Sequence, residues 1–271
     1  MFSHNLVCYK CFKSLLGIAI MRQFTLAAFA ALTAAVALPA HADMIGIYAS
    51  ADYWQYDGRA DVAQTGKDKE SFSFDQQEQA SVAVSFEHPV PLIPNVRVRH
   101  TALKGSDTIN SILFEFDDQK YVGDVSFDLD FTSTDLILYY EVLDNIVSVD
   151  VGLAAKQLDG DVTAKGKNAL LQSVSQTVSF KETIPMAYLS AGGSLPLTGL
   201  SFKAEAAGIT YNGSSITDAQ AEIKYDVIDN PVIDIGLKAG YRQLLIDLED
   251  VEKTDAKLDF KGPYLGVEFH F

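Results

Sequence analysis

The sequence predicts an all-β protein that closes into an antiparallel up-and-down β-barrel of about ten strands, with roughly eight to twelve compatible with the pattern. Apolar and polar residues alternate at period two through most of the chain after residue 43. Glycine, proline, asparagine and aspartate separate the alternating segments, as expected for strands joined by turns. No long stretch after residue 43 repeats apolar residues at the 3.6-residue period of an amphipathic helix.

Composition excludes several other classes of protein. The 271 residues contain 21 Lys and Arg against 36 Asp and Glu, so no basic surface is available for a nucleic acid. After residue 43 no uncharged apolar run is long enough for a transmembrane helix, which needs about 20 residues. Cys8 and Cys11 lack the second ligand pair of a zinc site. We therefore predict no metal, no cofactor and no nucleic-acid partner.

Residues 21–42 have the pattern of a cleavable signal peptide. Arg22 precedes an uncharged apolar run, and Ala40-His41-Ala42 has the small-x-small form that signal peptidase recognises. Residues 1–20 are interpreted as an upstream extension, because Met21 could itself start translation. The folded domain is predicted to span residues 43–271; the alternative is an uncleaved membrane anchor.

The alternation divides the folded domain into ten predicted strands. They lie near residues 44–55, 78–87, 95–104, 125–142, 146–157, 181–194, 199–210, 216–227, 232–248 and 256–271. Short turns alternate with longer polar loops, predicted at 57–77, 104–124 and 158–180. In the fourth strand the apolar parity changes between Phe131 and Leu136, which predicts either a bulge or a strand that continues above its neighbours.

Alternation alone does not say which face meets water. Six glycines decide in favour of a polar interior, because they fall with the polar set, where a narrow lumen favours small residues. They are Gly46, Gly152, Gly192, Gly236, Gly240 and Gly266. Several strands also reach about ten residues, the length that crosses hydrocarbon when tilted. The apolar faces are therefore predicted to contact lipid; the alternative is a soluble periplasmic β-barrel binding protein with the opposite faces wet.

The last strand ends in aromatic residues. Gly266, Phe269 and Phe271 match the terminal polar-x-Gly-x-x-aromatic-x-aromatic pattern, from which Tyr264 departs at the polar position. Here the chain resembles the outer-membrane β-barrel proteins of Gram-negative bacteria. The segment 43–54 resembles an uncharacterised family of small outer-membrane barrels, a likeness that implies no activity and no site residues. The resemblance implies an outer-membrane location, contact with membrane lipid and lipopolysaccharide, and insertion by the barrel-assembly machinery.

With the polar faces inside, the lumen collects a nearly balanced set of charges. The predicted network consists of Arg97, Arg99, Glu141, Asp150, Lys156, Lys203, Glu205, Glu222, Lys224, Asp234, Lys238, Arg242 and Glu268, with Asp52 beside them. Paired charges of this kind fill a narrow barrel, whereas unpaired ones would line a path for small solutes. The sequence thus predicts a structural or narrow-channel barrel and identifies no solute.

An outer-membrane hydrolase acting on lipid or peptide is the second functional hypothesis. Acid–base catalysis near neutral pH usually needs histidine. After residue 43 the chain has His88 before a proline, His270 next to the C-terminus, and His100 within the third strand. No serine can be placed beside His100 from the sequence, so no catalytic residue is predicted.

Aromatic residues near strand ends are predicted to form the two interfacial girdles of a membrane barrel. They are Tyr53, Trp54, Tyr139, Tyr140, Tyr225, Tyr241 and Phe269.

Overall fold

The computed structural model describes residues 45–64, 69–116, 119–230, 233–251 and 254–271. The predicted signal peptide, its cleavage residues Ala40 and Ala42, and the upstream extension lie outside these ranges.

Ten antiparallel strands form the described fold. They are β1 (Gly46–Gln64), β2 (Lys69–Glu87), β3 (Asn95–Phe116), β4 (Gln119–Asp144), β5 (Val147–Lys167), β6 (Ser173–Leu195), β7 (Leu200–Tyr211), β8 (Ser214–Asp229), β9 (Asp234–Val251) and β10 (Thr254–His270). Each strand pairs with the next, and β1 pairs with β10 to close the barrel. The predicted all-β closed barrel is confirmed. In the described ranges, no helix is long and apolar enough to span a membrane.

The two ends of the barrel differ in height. The chain termini and the turns after β2, β4, β6 and β8 lie at one end, which we call the periplasmic end; the opposite end is the external end. At the periplasmic end the Ile47 N–H donates to the Phe271 carbonyl at 3.1 Å, and the reverse bond measures 3.0 Å. Towards the external end β4 extends over 26 residues, whereas β7 has 12.

The loops predicted between the strands are mostly strand. β1 continues to Gln64 and β2 begins at Lys69, so only a few residues of the predicted 57–77 loop lie between them. The same correction applies to 104–124 and 158–180. These segments looked like loops because their outward residues are polar, yet their inward residues support a sheet.

The external half of the barrel separates into two packed sheets. Pairing between β2 and β3 runs only from Phe86–Val96 to Ser81–Thr101, and pairing between β6 and β7 ends at Ala187–Gly208. Beyond these levels β3 to β6 form one sheet, and β7 to β10 with β1 and β2 form the other. Apolar side chains fill the space between them, as in a β-sandwich.

We call this filling the apolar core. It includes Trp54, Tyr56, Leu103, Phe131, Leu158, Phe180, Ile184, Met186, Leu244 and Phe260. The Phe131 and Phe260 rings, from opposite sheets, have centroids 5.9 Å apart. Packed side chains thus fill the space between the two sheets of the external half.

The parity change on β4 now has a structural cause. Register between β4 and β5 is continuous from Ser126 to Glu141, so there is no bulge between Phe131 and Leu136. Phe131 faces inward and is 4% exposed, whereas Leu136 faces outward and is 43% exposed. β4 is paired with both β3 and β5 across this stretch, so a strand continuing above its neighbours is not the cause either. The parity changes because the inward face becomes apolar where Phe131 joins the apolar core.

The outer surface changes character at the same level. In the periplasmic half, exposed apolar side chains form a continuous outward band, which we call the belt. It includes Val82, Val84, Phe86, Val98, Leu136, Leu138, Leu153, Leu189, Phe202, Ile223, Leu237 and Leu265. Above it, outward lysines and aspartates pair, with Lys165 Nζ 2.6 Å from Asp128 and Lys181 Nζ 2.5 Å from Asp159. The belt therefore marks the membrane-spanning part, because exposed ion pairs belong in water.

The prediction of the aromatic girdles is wrong for two residues. Trp54 and Tyr139 face inward, with 1% and 0% exposure. Trp54 shares the inward parity of Asp52, and its indole N–H donates to the Gly262 carbonyl at 3.1 Å. Tyr53, by contrast, lies on the outer surface.

Candidate functional site: the charged lumen

Five buried side chains form a central charge cluster inside the belt: Arg99, Asp135, Lys156, Asp218 and Arg242. Lys156 Nζ donates to Asp135 Oδ1 at 2.5 Å and to Asp218 Oδ2 at 2.8 Å. Arg99 donates to Asp135 Oδ2 through two nitrogens, at 3.0 and 2.9 Å. Arg242 donates a hydrogen bond to each carboxylate oxygen of Asp218, at 3.0 and 2.8 Å. Such paired, hydrogen-bonded geometry is what allows charges to remain buried.

An adjoining pair of arginines extends this cluster towards the periplasmic end. Arg97 donates to Glu205 Oε2 at 2.7 Å, and Arg99 donates to Glu205 Oε1 at 3.0 Å. The Tyr188 hydroxyl also donates to Glu205, at 3.0 Å. Both carboxylate oxygens of Glu205 are thus occupied.

A second group of ion pairs lies on β1, β8, β9 and β10. Lys238 Nζ is 3.1 Å from Asp52 and 3.5 Å from Glu222. Lys224 Nζ is 3.2 Å from Glu268, which connects this group to the last strand.

The remaining predicted lumen charges are less tightly held and lie near the periplasmic end. Lys203 Nζ is 3.9 Å from Asp150, and the Ser190 hydroxyl donates to Asp150 at 3.0 Å. His270 Nδ1 lies 3.1 Å from Asp234 Oδ2. Glu141 lies beside Glu87.

All the charged residues predicted for the lumen are inward-facing, but the two central carboxylates were missed. Asp218 stands on the polar face of the β8 alternation and could have been included from parity alone. Asp135 lies at the parity change on β4, where the apolar residues on either side predict opposite faces for it. Asp135 is 2% exposed and so is Asp218, and together they accept hydrogen bonds from three cations.

Close packing explains one of the lumen glycines. A Cβ at Gly240 would lie 2.5 Å from Tyr264 Cζ and 2.6 Å from its hydroxyl oxygen. That hydroxyl donates to Glu222 Oε2 at 2.6 Å, so Tyr264 is held in place. Only glycine leaves room for this ring.

The described histidines do not meet at the external end. His100 faces outward at the upper margin of the belt, with Nδ1 2.9 Å from the Thr134 hydroxyl oxygen. His88 lies in the turn after β2, and His270 stacks on Tyr48 with ring centroids 4.1 Å apart. In the described ranges, no three His, Cys, Asp or Glu residues form a group suited to a metal ion.

A closed barrel with an apolar belt outside and paired charges inside defines the class of protein: this is a Gram-negative outer-membrane β-barrel. Its structure is similar to the outer-membrane protease OmpT from Escherichia coli, with a TM-score of 0.56 and 10% sequence identity over 88% of this chain and 100% of that chain. At this identity the likeness concerns the fold.

Two further solved structures match with lower TM-scores. The translocator domain of the autotransporter NalP from Neisseria meningitidis has a TM-score of 0.39 and 14% identity, covering 86% of this chain and 91% of that chain. The attachment invasion locus protein Ail of Yersinia pestis has a TM-score of 0.33 and 12% identity, covering 84% and 100%. No protein-family model and no curated protein sequence matches the chain.

Proposed function

We propose that this protein is a closed, non-catalytic structural barrel that anchors a rigid external β-sheet platform in the outer membrane and does not conduct solutes. The observation that carries the proposal is the presence of two closures in series, the central charge cluster and the apolar core.

The central charge cluster supports closure within the membrane. The side chain of Lys156 is 0% exposed and that of Asp218 is 1% exposed, so water does not reach their ion pair. Opening a path here would separate charges that the barrel wall shields from solvent. Removing one partner of a buried pair typically costs about 3–5 kcal/mol.

The apolar core supports closure above the membrane. Leu103, Leu244 and Phe260 are 0% exposed, and they come from both sheets of the external half. A hydrophilic solute crossing this layer would have to displace packed side chains, whose burial contributes roughly 1.5–3 kcal/mol each.

The outward ion pairs of the external half support the platform role. Lys104–Asp130 and Lys165–Asp128 link neighbouring strands on the water-exposed surface, at 3.2 and 2.6 Å. We propose that this surface adjoins the lipopolysaccharide layer, and that the Gly266, Phe269 and Phe271 strand is read by the barrel-assembly machinery.

Planar-bilayer recording tests the proposal. Barrel refolded in detergent, shown to be folded by heat-modifiable gel migration, is reconstituted, and incorporation is verified by vesicle flotation. The expected result is no discrete opening at moderate voltage. Reproducible unitary openings from the wild-type barrel would contradict closure and favour the narrow-channel alternative.

A further inference from the structure

The lumen below the central charge cluster contains a cavity of about 340 Å³. Turn residues Asn145 and Ser194 line its periplasmic side, while Arg97 and Arg99 line its inner end. Its volume falls within the range of about 300–1,000 Å³ typical of small-molecule sites. Because the inner end is closed, a molecule would enter and leave from the periplasmic side.

One side of this periplasmic cavity carries two carboxylates, Glu87 and Glu141, that have no cationic partner at contact distance among the described residues. Glu87 accepts a hydrogen bond from the Tyr139 hydroxyl at 2.6 Å, and Glu141 lies beside Glu87. Two neighbouring carboxylates repel each other unless a proton or a cation lies between them. A ligand cation would relieve this repulsion.

Lys203, on β7, supplies an ammonium group with unused donors. Its Nζ lies 3.9 Å from Asp150, beyond hydrogen-bond length, and its side chain is 30% exposed. In the part of the chain that the structure describes, no hydrogen bond from Lys203 is seen. Strands β7 and β2 stand on opposite sides of the barrel, so Lys203 faces the Glu87 side across the cavity.

The other two cavity lysines already have partners. Lys224 Nζ is 3.2 Å from both Asp226 and Glu268, and Lys238 Nζ is 3.1 Å from Asp52. Lys203 is therefore the lysine best able to bind an incoming carboxylate.

The balance of charge selects the ligand class. Eight carboxylate side chains and five cationic side chains line the cavity. Because a partly enclosed site concentrates its field, a ligand with net positive charge is favoured over an anion.

We propose that the periplasmic cavity binds a small basic amino acid, with its side-chain cation at Glu87 and Glu141 and its carboxylate at Lys203. This inference goes beyond the structural role proposed above, and the absence of channel openings in planar-bilayer recordings would neither support nor contradict it.

Isothermal titration calorimetry on the refolded full barrel tests the proposal with three probes. L-lysine carries both recognised groups, 1,5-diaminopentane lacks the carboxylate, and L-glutamate has a net negative charge. We expect saturable binding of L-lysine, weaker binding of 1,5-diaminopentane and no binding of L-glutamate. Absence of L-lysine binding at millimolar concentration, or equal binding of L-glutamate, would overturn the proposal.

Two variants assign the contacts. Lys203→Gln is expected to weaken L-lysine binding about tenfold and leave 1,5-diaminopentane unchanged, since a charge-assisted hydrogen bond contributes on this scale. Glu141→Gln is expected to weaken both ligands about tenfold. The matched controls Lys165→Gln and Asp128→Asn, on the outer surface, should change neither.

All variants must first show the wild-type heat-modifiable migration, which separates lost binding from lost folding. If Lys203→Gln weakens both ligands equally, or Glu141→Gln weakens neither, the assigned contacts are wrong.

Discussion

Tyr56 on β1 occupies the backbone hydrogen-bonding groups of Lys104 on β3. Its hydroxyl donates to the Lys104 carbonyl at 2.9 Å and accepts from the Lys104 N–H at 2.7 Å. This contact lies just beyond Ser81–Thr101, where β2 stops pairing with β3. A side chain thus replaces the missing strand partner and ties together the two sheets of the external half.

Replacing Tyr56 with Phe should lower the free energy of unfolding by about 1–3 kcal/mol, the cost of leaving buried polar groups unsatisfied. Urea unfolding of the barrel in lipid vesicles measures this change. Tyr53→Phe is the control, because its hydroxyl bonds to Glu78 on the exposed outer surface. Equal losses in the two variants would argue against a special role for Tyr56.

Replacing Lys156 with Met should destabilise the barrel by about 3–5 kcal/mol, because Asp135 and Asp218 would lose a buried partner. Lys165→Met removes an exposed pair with Asp128, and its expected cost is below about 1 kcal/mol. Both variants lose one lysine charge, so their difference in the same unfolding assay isolates burial. A Lys156→Met loss as small as the control would mean that water reaches the cluster.

The position of the belt is testable on one strand. Leu189→Lys places a charge on the lipid-facing side of β6, where the expected cost is about 2–4 kcal/mol. Ser175→Lys lies further along the same strand on the exposed outer surface, and should cost roughly 0–1 kcal/mol. Similar costs at both positions would place the membrane boundary elsewhere.

Phe271 tests the proposed recognition by the assembly machinery. Phe271→Ser should reduce the amount of folded barrel recovered from cell outer membranes, while spontaneous refolding in detergent stays near wild type. Phe202→Ser, on the belt surface of β7, serves as the control for simple loss of apolar surface. Reduced detergent refolding by Phe271→Ser alone would indicate a role in stability.

His100→Ala tests the hydrolase alternative. His100 contacts the Thr134 hydroxyl and faces outward, away from the lumen. Any lipid or peptide hydrolysis in a purified preparation is therefore expected to be the same for the wild type and the variant. A selective loss of hydrolysis in His100→Ala would support an enzyme.

Period-two patterning was sufficient to predict ten strands, their order and the inward position of the charges from Arg97 to Glu268. It was insufficient in the external half, because alternation has the same form when the apolar face turns inward. Phe131 and Leu136 show this: both are apolar, yet they lie on opposite faces of an uninterrupted strand. Trp54 was misplaced for the same reason, since a ring near a strand end fits either an interface or an interior.

The pairing of the central cluster depends on distances across the barrel. Arg99 and Asp218 are 119 residues apart in sequence and meet only because β3 and β8 face each other through the lumen. The strand register and the diameter of the barrel determine this contact, and the local alternation of residues predicts neither. The alternation on β8 could predict that Asp218 faces inward, but it could not predict which three cations Asp218 contacts.

Along the strands, the outer surface changes from the apolar belt to exposed ion pairs, and this change fixes the depth of the protein in the membrane. Sinking the barrel would drag Lys181 and Asp159 into hydrocarbon, and lifting it would expose Leu189 and Ile223 to water. Either displacement raises the free energy of the protein in the membrane, even when it moves the barrel by the length of only a few residues. The strands therefore hold the protein at one depth in a bilayer whose hydrocarbon thickness matches the height of the belt.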